Sequence, residues 1–239
     1  MPTYNERENL PLLVQAVFDV VPAVHILVID DNSPDGTGPL ADALAAADPR
    51  VFVLHRTQKQ GLGRAYIAGF EWALRRDYEL IFEMDCDFSH PPRFIPEFIA
   101  KAAQCDVVLG SRYILGGGTQ DWDWRRRLIS RGGNTYAQVI LGLPYRDLTG
   151  GFKCFHRHVL ATLPLHEIVS NGYVFQIELT WRAVIAGFAI GEVPIQFPDR
   201  TRGQSKMSGS IVREAVVNVW KLRFARAQMQ RQGRDTRAQ

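Results

Sequence analysis

Tyr78-Glu79-Leu80-Ile81-Phe82-Glu83-Met84, followed at once by Asp85-Cys86-Asp87, reads as a strand that runs into a pair of acids. In an extended backbone residues i and i+2 share a side, so both carboxylates can face one cleft at the strand's C-terminal end. Two like charges behind an apolar strand are unfavourable unless solvated or neutralised. A divalent cation would neutralise them and, through it, the pair can hold a diphosphate.

The segments around this strand repeat its theme. Residues 24–29, 51–54 and 107–109 read as further apolar strands, and 10–21, 39–47, 63–75 and 92–102 as helices between them. Strands too apolar to have a wet face, alternating with helices, predict an α/β fold with a mostly parallel central sheet flanked by helices. Such sheets bind ligands beyond the carboxyl ends of their strands, where the acids sit. The start is odd. Pro2-Thr3-Tyr4-Asn5-Glu6 already looks like the loop after a strand, with Asn5 and Glu8 spaced as a helix capping box, and the sequence reads as if its first strand were truncated. Either a few apolar residues precede Met1, which is the preferred reading, or the fold tolerates the loss of an interior strand.

The chain has 239 residues, 46% of them hydrophobic, enough for one good-sized core. A formal charge of +3 argues for no particular partner, and no nucleic-acid partner is expected. Cys86, Cys105 and Cys154 form neither a Cys-x-x-Cys pair nor an even set, which fits a reducing compartment and gives no zinc site or disulfide framework. No apolar run approaches the roughly 20 residues needed to span a bilayer, and no signal peptide precedes the first motif. A cytoplasmic location is expected.

The second half is less regular. Gly116-Gly117-Gly118 opens a loop through Trp124 that glycine leaves free to move, a helix follows from Arg126 or Gly132 to Leu141, and another spans 173–186. Residues 190–197 read as a strand whose Pro194 favours an edge or a bulge. A polar loop, 199–208, precedes a final helix, so the chain divides into a catalytic unit at 1–208 and a basic amphipathic tail at 209–239.

Asp30-Asp31-Asn32-Ser33 closes one strand as Asp85-Cys86-Asp87 closes another, and in a parallel sheet both emerge on one edge. One cluster can accept hydrogen bonds from a base or ribose while the other meets phosphate through Mg²⁺ or Mn²⁺, since an all-oxygen ligand set disfavours zinc. Aspartate at a strand-to-helix turn also serves simply as a backbone cap. Gly61-Leu62-Gly63 fits a phosphate cradle or a tight turn equally well, and no phosphate-loop lysine motif is present.

Pro2-Thr3-Tyr4-Asn5-Glu6, Asp30-Asp31-Asn32-Ser33, Gly61-Leu62-Gly63 and Asp85-Cys86-Asp87-Phe88-Ser89-His90-Pro91, in this order, closely resemble the inverting family 2 glycosyltransferases, specifically the polyprenol-phosphate (dolichol-phosphate) mannosyltransferases. The resemblance continues through Gly110-Ser111-Arg112-Tyr113, Asp147-Leu148-Thr149-Gly150-Gly151-Phe152-Lys153 and Arg202-Gly203-Gln204-Ser205-Lys206, nearly the whole chain. It implies a GT-A nucleotide-sugar transferase fold. It implies also that Pro2, Tyr4, Glu6 and Asp31 contact the nucleoside, that Asp85 lies near ribose and metal, and that Asp87 is the direct metal ligand. Ser89 stands where relatives carry a longer polar group near the metal, so water completes that shell. Arg112 and Arg126 fall near the acceptor phosphate, whose oxygens a guanidinium fork matches. Arg202 and Lys206 belong to a loop that can close on the donor diphosphate and exclude water.

The implied reaction moves mannose from GDP-mannose to a polyprenyl monophosphate by direct displacement, inverting the anomeric centre and releasing GDP. The acceptor oxygen is already ionised, so no histidine base is required, and His90 reads as a residue that orients the acidic loop. Asp147, Thr149 and Gly150-Gly151 either shape the pocket or cap a turn. A UDP-glucose donor, a non-transferase nucleotide-binding protein and a catalytically silent interaction domain are the competing readings. The lipid acceptor calls for peripheral contact with the cytoplasmic face of a membrane, or for a separate membrane-anchoring protein. Apolar residues at helical spacing between Ile211 and Phe224, interspersed with Arg213, Lys221, Arg223 and Arg226, fit a helix on an anionic surface or one packed on its own domain. Trp122 and Trp124 form a second candidate patch.

Overall fold

The computed structural model describes residues 1–168, 170–198 and 216–225. Strand β1 (Pro2–Thr3) leads to helix α1 (Leu10–Val20), which buries Leu10, Leu13, Val14, Val17 and Phe18, the spacing of one helical face. Then follow β2 (Ile26–Asp30), α2 (Thr37–Ala47), β3 (Val51–His55), α3 (Leu62–Leu74) and β4 (Leu80–Glu83). A 3-10 turn, Pro92–Phe94, opens α4 (Ile95–Ala102), and β5 (Val107–Ser111), β6 (Gly118–Thr119) and α5 (Trp124–Leu141) come next. The chain continues through β7 (Lys153–His156), α6 (Arg157–Thr162), α7 (Gly172–Ile185), β8 (Ile190–Pro194) and β9 (Gln196–Phe197), and residues 216–225 are helical.

β1, β2 and β3 pair in parallel. The second sheet has the order β4-β7-β5-β8, with β5 and β8 parallel and β7 antiparallel to both its neighbours. The expected parallel strands are present; β7 is the departure, a short Lys-Cys-Phe-His segment with no apolar run to announce it. One apolar cluster packs α1, α2 and α4 on one face, and another packs α3, α6 and α7 on the opposite face. A third joins α5, α7 and the helix at 216–225 through Leu141, Trp181, Val219 and Leu222.

Three expectations are corrected. The Asn5–Glu8 capping box does not form: Asn5 has φ +63°, α1 begins at Leu10, and Glu6 instead accepts the amide hydrogens of Asn9 and Leu10 through its backbone oxygen. The glycine loop is anchored, because Gly118–Thr119 pairs with β9 and a Cβ on Gly117 would lie 2.4 Å from the Ser111 carbonyl oxygen. The run 190–197 divides at Ile195, β8 pairing with β5 and β9 with β6, with Pro194 ending the edge strand.

The first strand is present but short. Pro2 pairs with Ile29, and behind it a cavity of about 130 Å³, bordered by Leu27, Ile29, Gly69, Phe70, Leu80 and Phe82, separates β2 from β4. The Met1 amine ends in this apolar slot and donates to the Leu27 carbonyl at 2.8 Å. Burial lowers its pKa to about 6.

Candidate active site

The carboxyl ends of β1 and β2 build one wall. Asp30 is buried and spent on the turn, accepting from the Ser33 amide at 3.1 Å and from the Thr3 hydroxyl at 3.3 Å, so it is a cap. Asp31 is buried too but points to Arg56, with which it forms an ion pair. Burial raises the Asp31 pKa and outweighs the opposing pull of Arg56. Tyr4 is 36% exposed, and the Lys59 ammonium sits 3.4 Å from its ring centroid, an arrangement of aromatic face and cation suited to a flat, electron-rich ring. Glu6 is held by its own amide, which donates to Thr37 Oγ1, and by Asn9, whose side chain donates to its carboxylate at 2.8 Å.

The acids past β4 form the floor. The strand stops at Glu83, so Asp85 and Asp87 lie in the following loop instead of on an extended ladder, and the acid inside the strand is Glu83. The loop is tightly determined. Phe88 has φ +61°, a strained conformation for an aromatic residue, and Asp87 accepts from the Ser89 amide at 3.0 Å. Tyr66 donates its hydroxyl to Asp85 at 2.7 Å, while the Asp85 amide donates to His90 Nδ1 at 3.0 Å. His90 is buried and stacks on Phe152 with centroids 5.2 Å apart, so its ring orients the acidic loop as the sequence suggested.

Asp85, Asp87 and Ser89 supply oxygen donors only. Among the described residues no group of three or more His, Cys, Asp or Glu side chains forms a cation cage. Two carboxylates suit an ion that keeps water and phosphate among its ligands, as Mg²⁺ and Mn²⁺ do. Ser89 Oγ is buried with no hydrogen-bond partner, an orphaned donor and acceptor inside the loop. The residues present fit such an ion.

The opposite wall comes from β5, α5 and the turn before β7. Arg112 is buried, and Asp147 clamps it with two bonds, Nε to Oδ2 at 2.6 Å and Nη2 to Oδ1 at 2.7 Å. Burial works against the Arg112 charge, but the carboxylate outweighs it and raises the pKa, while Arg112 in turn draws Asp147 down. Asp147 also accepts from the Gly150 amide, so pocket and turn-cap roles coincide in one residue. Thr149 receives hydrogen bonds from Arg112 and from Asn134 of α5.

Arg126, on the first turn of α5, lies 4.0 Å from the Trp122 ring centroid. Trp122 is buried, against the expectation of an exposed tryptophan pair, and meets Phe197 edge-on. Phe197 bridges the floor and this wall, its ring centroid 5.6 Å from that of His90 and 5.2 Å from the Arg112 guanidinium. Arg202 and Lys206 fall outside the described residues. The glycines at 61 and 63 are explained by packing: a Cβ on Gly61 would lie 2.7 Å from Asn171 and one on Gly63 2.8 Å from the Ser170 carbonyl, which favours the tight-turn reading.

Sequence reasoning missed Tyr66, Arg56, Lys59 and Asn134. Tyr66 follows Leu62 by one helical turn on α3, a spacing that offered a signal; the others are polar residues whose partners lie far along the chain.

The family model described as "Glycosyl transferase family 2" matches residues 1–163. A "Polyprenol monophosphomannose synthase" of Mycolicibacterium smegmatis is 53% identical over 227 residues, covering 93% of this chain and 86% of that protein. An "Undecaprenyl-phosphate mannosyltransferase" of Micrococcus luteus is 49% identical over 219 residues, covering 92% and 90%. A crystal structure of glucosyl-3-phosphoglycerate synthase from Mycobacterium tuberculosis with Mn²⁺ and UDP-glucose superposes with a TM-score of 0.65 over 92% of this chain and 76% of that one, at 18% identity.

Proposed function

The chain belongs to glycosyl transferase family 2, and from that premise we propose that it transfers mannose from GDP-mannose to a polyprenyl monophosphate, releasing GDP and leaving a β-linked lipid phosphate mannose. One observation carries this reading: two mannosyltransferases of lipid phosphates match at least 92% of the chain at about half identity, through both walls of the site.

The reaction joins two anions, so the protein's task is to hold them together and aligned. Tyr4, Glu6, Asp31 and the neighbouring Arg56 and Lys59 receive the nucleoside, Tyr4 by its face and the acids by hydrogen bonds. Asp87, supported by Asp85 and the Ser89 hydroxyl, would hold Mg²⁺ or Mn²⁺, which supplies neutralising charge to the departing diphosphate. Tyr66 and His90 keep Asp85 and its loop in place. Arg126 receives the acceptor phosphate and keeps its oxygen on the sugar face opposite the diphosphate, which inverts the anomeric centre. Arg112 acts from within the wall: Asp147 occupies two of its donors, so it contributes a fixed positive charge and a rigid support more than an open fork. Arg202 and Lys206 complete the donor side in this reading.

A single competition tests the assignment. Full-length protein receives equal GDP-mannose, UDP-glucose and UDP-N-acetylglucosamine with one polyprenyl phosphate and Mn²⁺, and the lipid product is identified by mass. A mannosyl product alone is expected. A glucosyl product would transfer the function to the UDP-sugar reading, and no lipid product from any donor would refute transfer to this acceptor.

A further inference from the structure

The two arginines of the acceptor wall are held by different means. Arg112 is clamped by the Asp147 carboxylate, which spends two of its donors and offsets its charge. Arg126 is half-buried between exposed Arg125 and Arg127, and its guanidinium carbon lies 4.0 Å from the centroid of the Trp122 ring. An indole face attracts a cation through its quadrupole within about 6 Å and carries no charge of its own. It therefore fixes a guanidinium while leaving the positive charge available to an anion, which a carboxylate in that place would cancel.

The fold builds this seat from several sides. The Gln120 amide donates to the Phe197 carbonyl at 2.9 Å, carrying the pairing of β6 with β9 one residue further. Asp121 then takes φ +58°, a left-handed conformation uncommon for a residue with a side chain. Beyond that turn the two tryptophans part, Trp122 being 7% exposed and Trp124 68%. Asp123 closes the corner: its side chain accepts from the Arg126 amide at 2.9 Å, which starts α5 and fixes the backbone of Arg126 beside the ring. Phe197 meets the indole edge-on with centroids 5.5 Å apart, so the ring is wedged between β9 and α5. Its Nε1 has no hydrogen-bond partner among the described residues, so the indole serves the site by its face and not by its polar tip.

We propose that Trp122 is a positioning residue for the acceptor phosphate, its ring seating the Arg126 guanidinium without neutralising it. The inference rests on the lipid-phosphate reading and deepens it. A long arginine side chain ordered in advance spares the incoming phosphate the entropy loss of ordering it, and the two arginines then divide the work. Arg112, with its charge offset, is a support. Arg126, with its charge kept, is the group that meets the anion. Phe197 touches the indole on one side and His90 of the acidic loop on the other, so the seat is braced against the donor floor.

The test measures binding of a short, water-soluble prenyl phosphate to the full chain by calorimetry, together with its KM in the presence of GDP-mannose and Mn²⁺. Trp122→Leu should weaken both by about three- to thirtyfold, while KM for GDP-mannose stays within about twofold. In an Arg126→Ala background the same change should add less than about twofold, because the ring acts through the guanidinium. Site-specific fluorination of Trp122 drains charge from the ring face and nearly keeps its shape, so binding should weaken stepwise with the number of fluorine atoms. That series decides the matter where Trp122→Leu fails to fold. An undiminished loss in the Arg126→Ala background would mean that the indole touches the acceptor itself, and it overturns the proposal, as does a flat fluorine series. Wild type that binds no prenyl phosphate overturns the proposal and the acceptor assignment together. Wild type that binds it but forms no mannosyl lipid refutes the catalytic reading alone, and the binding comparisons still decide the role of Trp122.

Discussion

Glu83 on β4 stands directly opposite Lys153 on β7, and neither side chain has any exposed surface. Lys153 donates to the Gln176 carbonyl at 2.7 Å, whereas both carboxylate oxygens of Glu83 lack a hydrogen-bond partner. The pair sits directly behind the acidic loop. Removing the cation alone takes away the Gln176 hydrogen bond and leaves the Glu83 carboxyl a buried polar group without its partner charge, which typically costs about 1–3 kcal/mol. Lys153→Met should therefore fall that far in urea unfolding, and Glu83→Gln/Lys153→Met should recover much of the loss. A double variant no more stable than the single would show that the pair does not act as a unit.

The same glutamate predicts a pH dependence. Burial lifts its pKa from 4.5 to about 8, while Lys153 pulls it the other way. The folded form thus keeps a proton that the unfolded chain releases near pH 4.5. The associated stability is complete below about pH 4.5 and is lost as pH rises toward about 8, by about 1.4 kcal/mol per unit inside that window. Glu83→Gln has no such titration. Its stability relative to wild type should improve between pH 5 and pH 6, read from unfolding curves at both; a parallel pair of profiles would contradict the shift.

The acceptor wall separates structure from chemistry. Arg112 is locked to Asp147 and buried, so Arg112→Ala should unfold several degrees earlier as well as lose activity. Arg126 lies against Trp122 on a partly open face, so Arg126→Ala should keep its thermal midpoint and raise the acceptor KM by about 10- to 100-fold. Matching losses of stability in both variants would show that Arg126 too is a structural residue.

The sequence pattern made the first half legible because each element there carries its own signal: apolar strands, periodic helices, and acids at the strand ends. Residues 153–156 carry none, and a strand inserted antiparallel between β4 and β5 is specified by its neighbours rather than by itself. The acids of the site were equally readable, since like charges beside a strand demand compensation. Their supports were not. Tyr66 reaches Asp85 from 19 residues earlier and Asp147 reaches Arg112 across 35, distances over which only the folded chain reveals a partner. The i, i+2 argument for Asp85 and Asp87 assumes an extended geometry that the loop does not keep, because β4 ends at Glu83, ahead of both acids, and Phe88 turns the backbone directly after the second.

Asp87 gives the sharpest test of the donor half. Asp87→Asn preserves shape and removes the charge that would hold the cation, so turnover should fall by about 10²-fold or more, with Mn²⁺ dependence shifted to higher concentration. Tyr66→Phe, which removes only the hydroxyl steadying Asp85, should produce a smaller shift of the same kind. Mn²⁺ titrations of both variants check the order, and an unchanged profile for Asp87→Asn would remove it from the metal site.

The slot behind β1 predicts that the fold can be improved at its amino end. Pro2 pairs with Ile29, so residues placed before Met1 in the same register would run along Leu27 and Ile26 into the apolar cavity. A Val-Ile-Val extension would bury about 1.5–3 kcal/mol of apolar side chain per residue against about 1–2 kcal/mol of backbone ordering. It would also replace the buried amine with a peptide N–H. That amine has a folded pKa of about 6 against 8.0 in the open chain, so its charged form penalises folding fully below about pH 6, and stability recovers as pH rises to about 8. The extended protein should therefore melt several degrees higher than the parent, by a margin that is widest near pH 6 and narrows toward pH 8, measured as the difference in thermal midpoints across the interval. A lower midpoint would show that the slot is closed to a strand.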